Sequence, residues 1–251
     1  VKHLKSLFVF SAALLFGTAA ILTGLHQAGL FIVQTIPVDV LGEQPTTQLS
    51  QQPGPRGLKA RTQAALQPFA QKKIWDIHLS QIKAAIMKDE WVKDVLISRM
   101  LPNKIEVRIV PKSTAVVLVG PKGELWPLTE DGTKLATLPA AALPDRPLLR
   151  GELFEHDTAK RKEAIQFALN LPAQGAINQK NVSEIFWNKE DGYSLMLMQP
   201  KVEVKLGSDL LDTKVLRAGQ VMNYMSAHQL NGRLIDASFS KKVLVRLRKG
   251  P

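Results

Sequence analysis

Few side chains in this sequence are placed to do covalent or metal chemistry. There is no cysteine, which removes disulfides, thiolate metal sites, iron–sulfur clusters and cysteine nucleophiles together. The five histidines, at 3, 26, 78, 156 and 228, include no pair three or four residues apart, the spacing that aims two imidazoles at one metal ion. His78 reads as a residue near a helix start, and His228 as one near a helix end, where partial positive charge is favourable. No Gly-x-Ser-x-Gly, Ser-x-x-Lys, phosphate-cradling loop or Gly-x-Gly-x-x-Gly occurs. Asp89-Glu90 and Glu190-Asp191 read as a helix end and a turn rather than as acid/base pairs. The sequence points away from an enzyme and implies no metal and no cofactor.

Recognition is the chemistry that remains. The 33 Lys+Arg against 22 Asp+Glu give a net charge of +11, which suits an anionic partner without choosing one. Near the C-terminal end, 243–247 (Val243, Leu244, Val245, Arg246, Leu247) reads as a strand, and Arg246, Arg248 and Lys249 decorate it. Charges on a terminal strand guard an exposed edge against promiscuous pairing. The alternative is that they select an acidic partner that adds to the same edge. As the last strand of the sequence, it is expected to have no later segment over its outer edge. Lys160-Arg161-Lys162 and Lys241-Lys242 read as solvated faces. The tryptophans read as packing residues, with Trp75 and Trp91 flanking a helix and stapling it to a sheet, and Trp126 and Trp187 in strands.

The elements that must present this strand begin with a long apolar run. No Asp, Glu, Lys or Arg lies between Lys5 and Asp39. Leu7, Phe8, Leu14, Leu15, Phe16, Ile21, Leu22 and Leu25 mark a stretch whose helical length, about 28 Å, matches a bilayer core. A cleaved signal peptide ending near Thr18-Ala19-Ala20 is the alternative, but the run exceeds the usual signal core of about 7–15 residues. Lys2 and Lys5 precede the run and the next Lys or Arg is Arg56. The expected topology is therefore single-pass, with a cytoplasmic tail at 1–6, a span at 7–30 and everything beyond exported. Export argues against nucleic acid as the anionic partner.

Beyond the span, residues 36–41 alternate as a short strand, with Pro37 marking an edge or a start. A loop rich in Gln, Pro and Gly follows at 43–57. Helices are expected at 58–69 and from Leu79, with Asp76 as its N-cap and Leu79, Ile82 and Ile86 on one face. Strands are expected at 92–100 and 104–110, turning at Leu101-Pro102-Asn103. Ile82, Ile86, Val95, Ile97, Ile105 and Val107 are expected to form one core. The remainder reads as strands at 115–119, 125–128 and 133–135, an irregular proline-rich stretch at 138–151, and a helix at 160–171. A strand meander at 182–187, 193–198 and 202–206 comes next, then a helix at 211–229 and a hairpin of 233–239 with 243–247.

Taken in order, these features resemble the bacterial division protein family FtsQ/DivIB. The resemblance rests on the run Trp91-Val92-Lys93-Asp94-Val95-Leu96-Ile97-Ser98-Arg99-Met100-Leu101-Pro102 with alternating Ile105, Val107 and Ile109. It continues through the Asp131-Gly132 turn, Leu143-Pro144 with Leu149 and Gly151, Val204-x-Leu206-Gly207 before a helix, and Ile235-Asp236 opening the last hairpin. Two departures stand out. Pro111-Lys112-Ser113-Thr114 replaces the family's Glu-Arg-x-Pro, and Asp236-Ala237-Ser238-Phe239 replaces Asp-Leu-Arg-Tyr.

The resemblance implies an α+β chain with an N-terminal transmembrane helix. A small POTRA (β-α-α-β-β) module at 31–112 and a mainly antiparallel β domain with two helices at 113–251 would follow. It implies a non-enzymatic scaffold of the inner membrane at the division septum, binding an FtsB/FtsL-like coiled-coil pair and, through it, the septal peptidoglycan synthase. Partner binding by strand addition is expected on Val243, Leu244, Val245, Arg246 and Leu247, with Phe239 as an aromatic anchor. The rival reading is a POTRA-bearing chaperone or secretion component that holds extended client segments.

Overall fold

A computed structural model describes residues 24, 29–42 and 53–248. The 7–25 span lies outside these residues apart from Gly24, as does most of the 43–57 loop. No helix among the described residues is long and apolar enough to cross a membrane. The chain divides into two compact units, residues 1–111 and 112–251.

The first unit is built on a three-stranded sheet. Its strands are β2 (Val38–Val40), β4 (Val92–Met100) and β5 (Lys104–Pro111), in the order β2-β5-β4. β2 runs parallel to β5, and β4 antiparallel to it. Pro37 sits just before edge strand β2, where the missing N–H costs no ladder bond. The one-sided alternation of Ile105, Val107 and Ile109 sends all three into the core, each fully buried. Two helices cover that face: α1 (Leu58–Leu66) buries Leu58, Thr62 and Leu66, and α2 (Leu79–Ile86) buries Ile82 and Ile86. Arg61 of α1 reaches Asp89 at 2.6 Å, fastening α1 to the turn that ends α2.

Several sequence expectations change in this unit. Ile97 is only half-buried, because β4 is an edge strand with no neighbour on its outer side. His78, not Asp76, is the N-cap of α2, and its side chain makes no capping bond. Trp91 is buried, but Trp75 is 52% exposed and meets Phe31 instead, ring to ring at 5.9 Å. A two-residue ladder of β1 (Ile32–Val33) with β3 (Lys72–Lys73) was too short to give a periodic signal.

The second unit is an open eight-stranded sheet. Its strands are β6 (Thr114–Val119), β7 (Leu125–Thr129), β8 (Leu148–Arg150), β9 (Val182–Asn188), β10 (Gly192–Leu197), β11 (Glu203–Gly207), β12 (Gly232–Asp236) and β13 (Leu244–Leu247). They lie in the order β13-β12-β11-β10-β9-β8-β6-β7. Antiparallel order holds only a bare majority here, because β6/β8, β8/β9 and β11/β12 are parallel. Parallel neighbours need a crossover of about a dozen residues or more. The helices supply two of the three crossovers: α3 (Leu153–His156) with α4 (Thr158–Asn170) links β8 to β9, and α5 (Leu211–Ala227) links β11 to β12.

Ala164, Ile165 and Ala168 of α4 and Val215, Ala218 and Met222 of α5 share one core with Leu118, Leu149, Ile185, Leu195, Val204 and Ile235 of the sheet. β8 falls inside the stretch expected to be irregular; its three residues are recognisable only from their place between β6 and β9. Residues 133–135 form no strand beyond a single bridge of Lys134 to Leu128. Arg161, read as solvated, is buried and donates to the carbonyls of Phe154 and Glu155 and to the Thr158 hydroxyl.

Candidate partner-binding edge

β13 ends one side of the eight-stranded sheet and pairs, among the described residues, only with β12. Its register sets Leu244 opposite Asp236, Val245 opposite Ile235, Arg246 opposite Leu234 and Leu247 opposite Gly232. Strand alternation then divides the site residues between two faces. Val243 and Val245 turn inward and pack, half-buried, on the core. Leu244 is 45% exposed and Leu247 52% exposed, so the edge carries apolar side chains as well as free backbone groups.

The connection between β12 and β13, residues 237–243, is held open and in place. Asp236 ends β12 by accepting bonds from the Ser238 N–H at 3.1 Å and from the Ser238 hydroxyl at 2.6 Å, a local turn that needs a short acceptor side chain. Arg217 on α5 then donates to three successive parts of the connection, the carbonyls of Phe239 (3.2 Å), Ser240 (2.9 Å) and Lys242 (3.3 Å). A planar fork with several donors can serve diverging carbonyls in this way. Phe239 thus lies in the connection and not in the strand; it is 40% exposed, with the Lys242 ammonium 5.0 Å above its ring.

Next to this edge the sheet is basic. Arg246, Arg248 and Arg233 line a shallow cavity of about 500 Å³ with Lys201, Lys205 and the lone carboxylate Glu203. Arg248 donates to the Lys201 carbonyl, and Lys205 pairs with Asp191 at 3.1 Å. That ammonium, with help from Asn188, holds the Asp191 carboxyl below its usual range. The alternating arginines read from sequence therefore join a larger cationic face. Its other members, and Arg217, lie on different elements, so no local pattern announces them. Among the described residues no group of three or more His, Asp or Glu side chains is placed to hold a metal ion.

Comparison with known proteins agrees with this architecture. Residues 59–110 match the FtsQ-type POTRA domain. The cell division protein FtsQ of Geobacter sp. (strain M21) is 26% identical over 180 residues, covering 68% of this chain and 64% of that protein. FtsQ of Geotalea daltonii is 26% identical over 181 residues, covering 69% and 65%. The cell division protein DivIB of Solibacillus silvestris is 27% identical over 145 residues, covering 57% and 48%. The chain thus spans less than two thirds of the length of these relatives. An FtsQ-type POTRA segment and relatives of both names support placing the chain with the FtsQ/DivIB family.

Proposed function

We propose that this protein is a non-enzymatic scaffold of the division machinery. Its 7–30 segment anchors it in the inner membrane, with residues 1–6 cytoplasmic, and its two exported parts (31–112 and 113–251) assemble division proteins at the septum. Recruitment runs through β13: an extended segment from an FtsB/FtsL-like coiled-coil pair adds to the strand edge, and that pair in turn engages the septal peptidoglycan synthase. One observation carries this reading. In a chain of this family, an edge strand with exposed Leu244 and Leu247 lies beside a cationic face and an ordered, half-exposed Phe239. Backbone pairing would supply affinity, and Arg246 with its neighbours would set association rate and partner choice.

The reading of a POTRA-bearing chaperone draws no such support, because the second unit is an open sheet covered by α4 and α5 and not a barrel. Affinity capture of the full-length protein from solubilised membranes, followed by mass spectrometry, tests the proposal. Division proteins should be recovered, and Phe239→Ala should remove them while melting stays unchanged. Recovery of outer-membrane assembly factors instead would favour the chaperone.

A further inference from the structure

A second site lies at the far end of α5. There a cavity of about 580 Å³ opens between the helix end, the 175–181 segment and the starts of β11 and β12. Its floor is apolar: Val202, Met222, Met225 and Ile235 are all buried. Its rim is amide-rich, and no Asp, Glu, Lys, Arg or His lines it, in a chain that is 22% charged.

The rim amides fall into two groups. Asn181 is used up in the wall, donating to the Ala176 and Gln199 carbonyls and accepting from the Gln199 N–H, and Asn178 is similarly spent on backbone groups. Gln199, Asn223, Gln229 and Asn231 are exposed, and their side-chain amides make no hydrogen bond among the described residues.

Gln229 is the unusual one. It follows the C-cap His228 at φ +56°. Around it, Gln229 N–H donates to the Ser226 carbonyl at 3.2 Å and Leu230 N–H to the Met225 carbonyl at 2.8 Å. This is the helix-ending motif whose left-handed position is normally glycine. Here the strained position instead carries a side chain that lines the cavity.

We propose that this cavity binds an uncharged acetamido sugar, an N-acetylhexosamine unit of a glycan. Primary amides both donate and accept, as hydroxyl and acetamido groups require, and the methionine floor suits the acetamido methyl. The absence of ionisable lining selects a neutral ligand. An extended peptide fits less well, because β11 and β12 are paired with each other beside the cavity and offer no free backbone ladder. The site is separate from β13 and does not depend on how that edge is used.

Saturation-transfer NMR and calorimetric titration of the full-length protein, in a detergent without a sugar headgroup, test the assignment with three probes. These are the N-acetylglucosamine trimer, the glucose trimer of the same linkage, and a neutral Gly/Ser peptide. The acetylated trimer should bind, with saturation strongest at its methyl groups, and the other two should not. Gln229→Gly should melt at or above the wild-type temperature, since glycine relieves the left-handed backbone, yet bind about tenfold more weakly. The exposed Asn223→Ala should weaken binding similarly. Equal binding of both sugars, binding of the peptide alone, no binding of any probe, or affinity kept within about twofold in both variants would overturn the proposal.

Discussion

Arg217 is where one side chain most clearly shapes the candidate partner edge. Its three carbonyl acceptors hold the 239–242 backbone before any partner arrives, so less ordering is left to the binding step. Arg217→Ala should cost on the order of 1 kcal/mol of folding stability but weaken partner capture by about tenfold. Arg217→Lys keeps the charge and loses the fork, so it should bind nearly as poorly. Full affinity in Arg217→Lys would assign the effect to charge, not to loop order. Asp131 gives a second prediction at this scale. Hydroxyls of Thr129 and then Thr133 donate to its carboxylate and hold its pKa down to about 2. The ionised form is thus favoured in the folded state, and its contribution is complete above about pH 4 and lost as pH falls through about 2. The stability difference between wild type and Asp131→Asn, followed by urea unfolding, should shrink from pH 5 towards pH 2. A constant difference would show that these hydroxyl bonds persist in the unfolded chain or do not form.

At the scale of elements, the centre and the edge of the POTRA module's packed face predict unequal responses to truncation. Ile82→Ala and Ile105→Ala empty fully buried positions and should each cost about 2–5 kcal/mol, whereas Ile97→Ala, at a half-buried edge position, should cost clearly less. Chemical denaturation of the three variants checks the order. Equal losses would mean that β4 is covered by something the sheet order does not include. The same elements show how far the sequence could be read. Ile105, Val107 and Ile109 announced β5 because one-sided burial leaves a period of two, and Leu79, Ile82 and Ile86 announced α2 by their period of 3.6. Ile97 fits the same alternation, but the pattern records which face a residue is on and not whether a helix lies over it. β8 and the β1/β3 ladder are too short for any period, and strand direction is not written in a single strand at all. Two of the three parallel pairs, β8/β9 and β11/β12, follow from α3–α4 and α5 carrying the chain back across the sheet. Of the candidate edge, the strand and its arginines were legible because they are contiguous. Arg217 and Lys205, brought in by α5 and β11, were not.

For the whole molecule, the proposed arrangement is a membrane anchor, a POTRA module and a sheet whose last strand is left for a partner. A reporter active only outside the cytoplasm, fused after the C-terminal end, should work; activity only when it is fused before residue 7 would reverse the orientation. The central claim is that the partner completes the sheet at β13. Hydrogen exchange of the full-length protein, alone and with the co-purified FtsB/FtsL-like pair, tests it most directly, because strand addition must bury the outward N–H groups of that edge. The account predicts new protection concentrated in residues 243–248, with the 239–242 connection slowed less. Protection confined to residues 59–110, with β13 exchanging as in the free protein, would contradict it and move the partner site to the POTRA module.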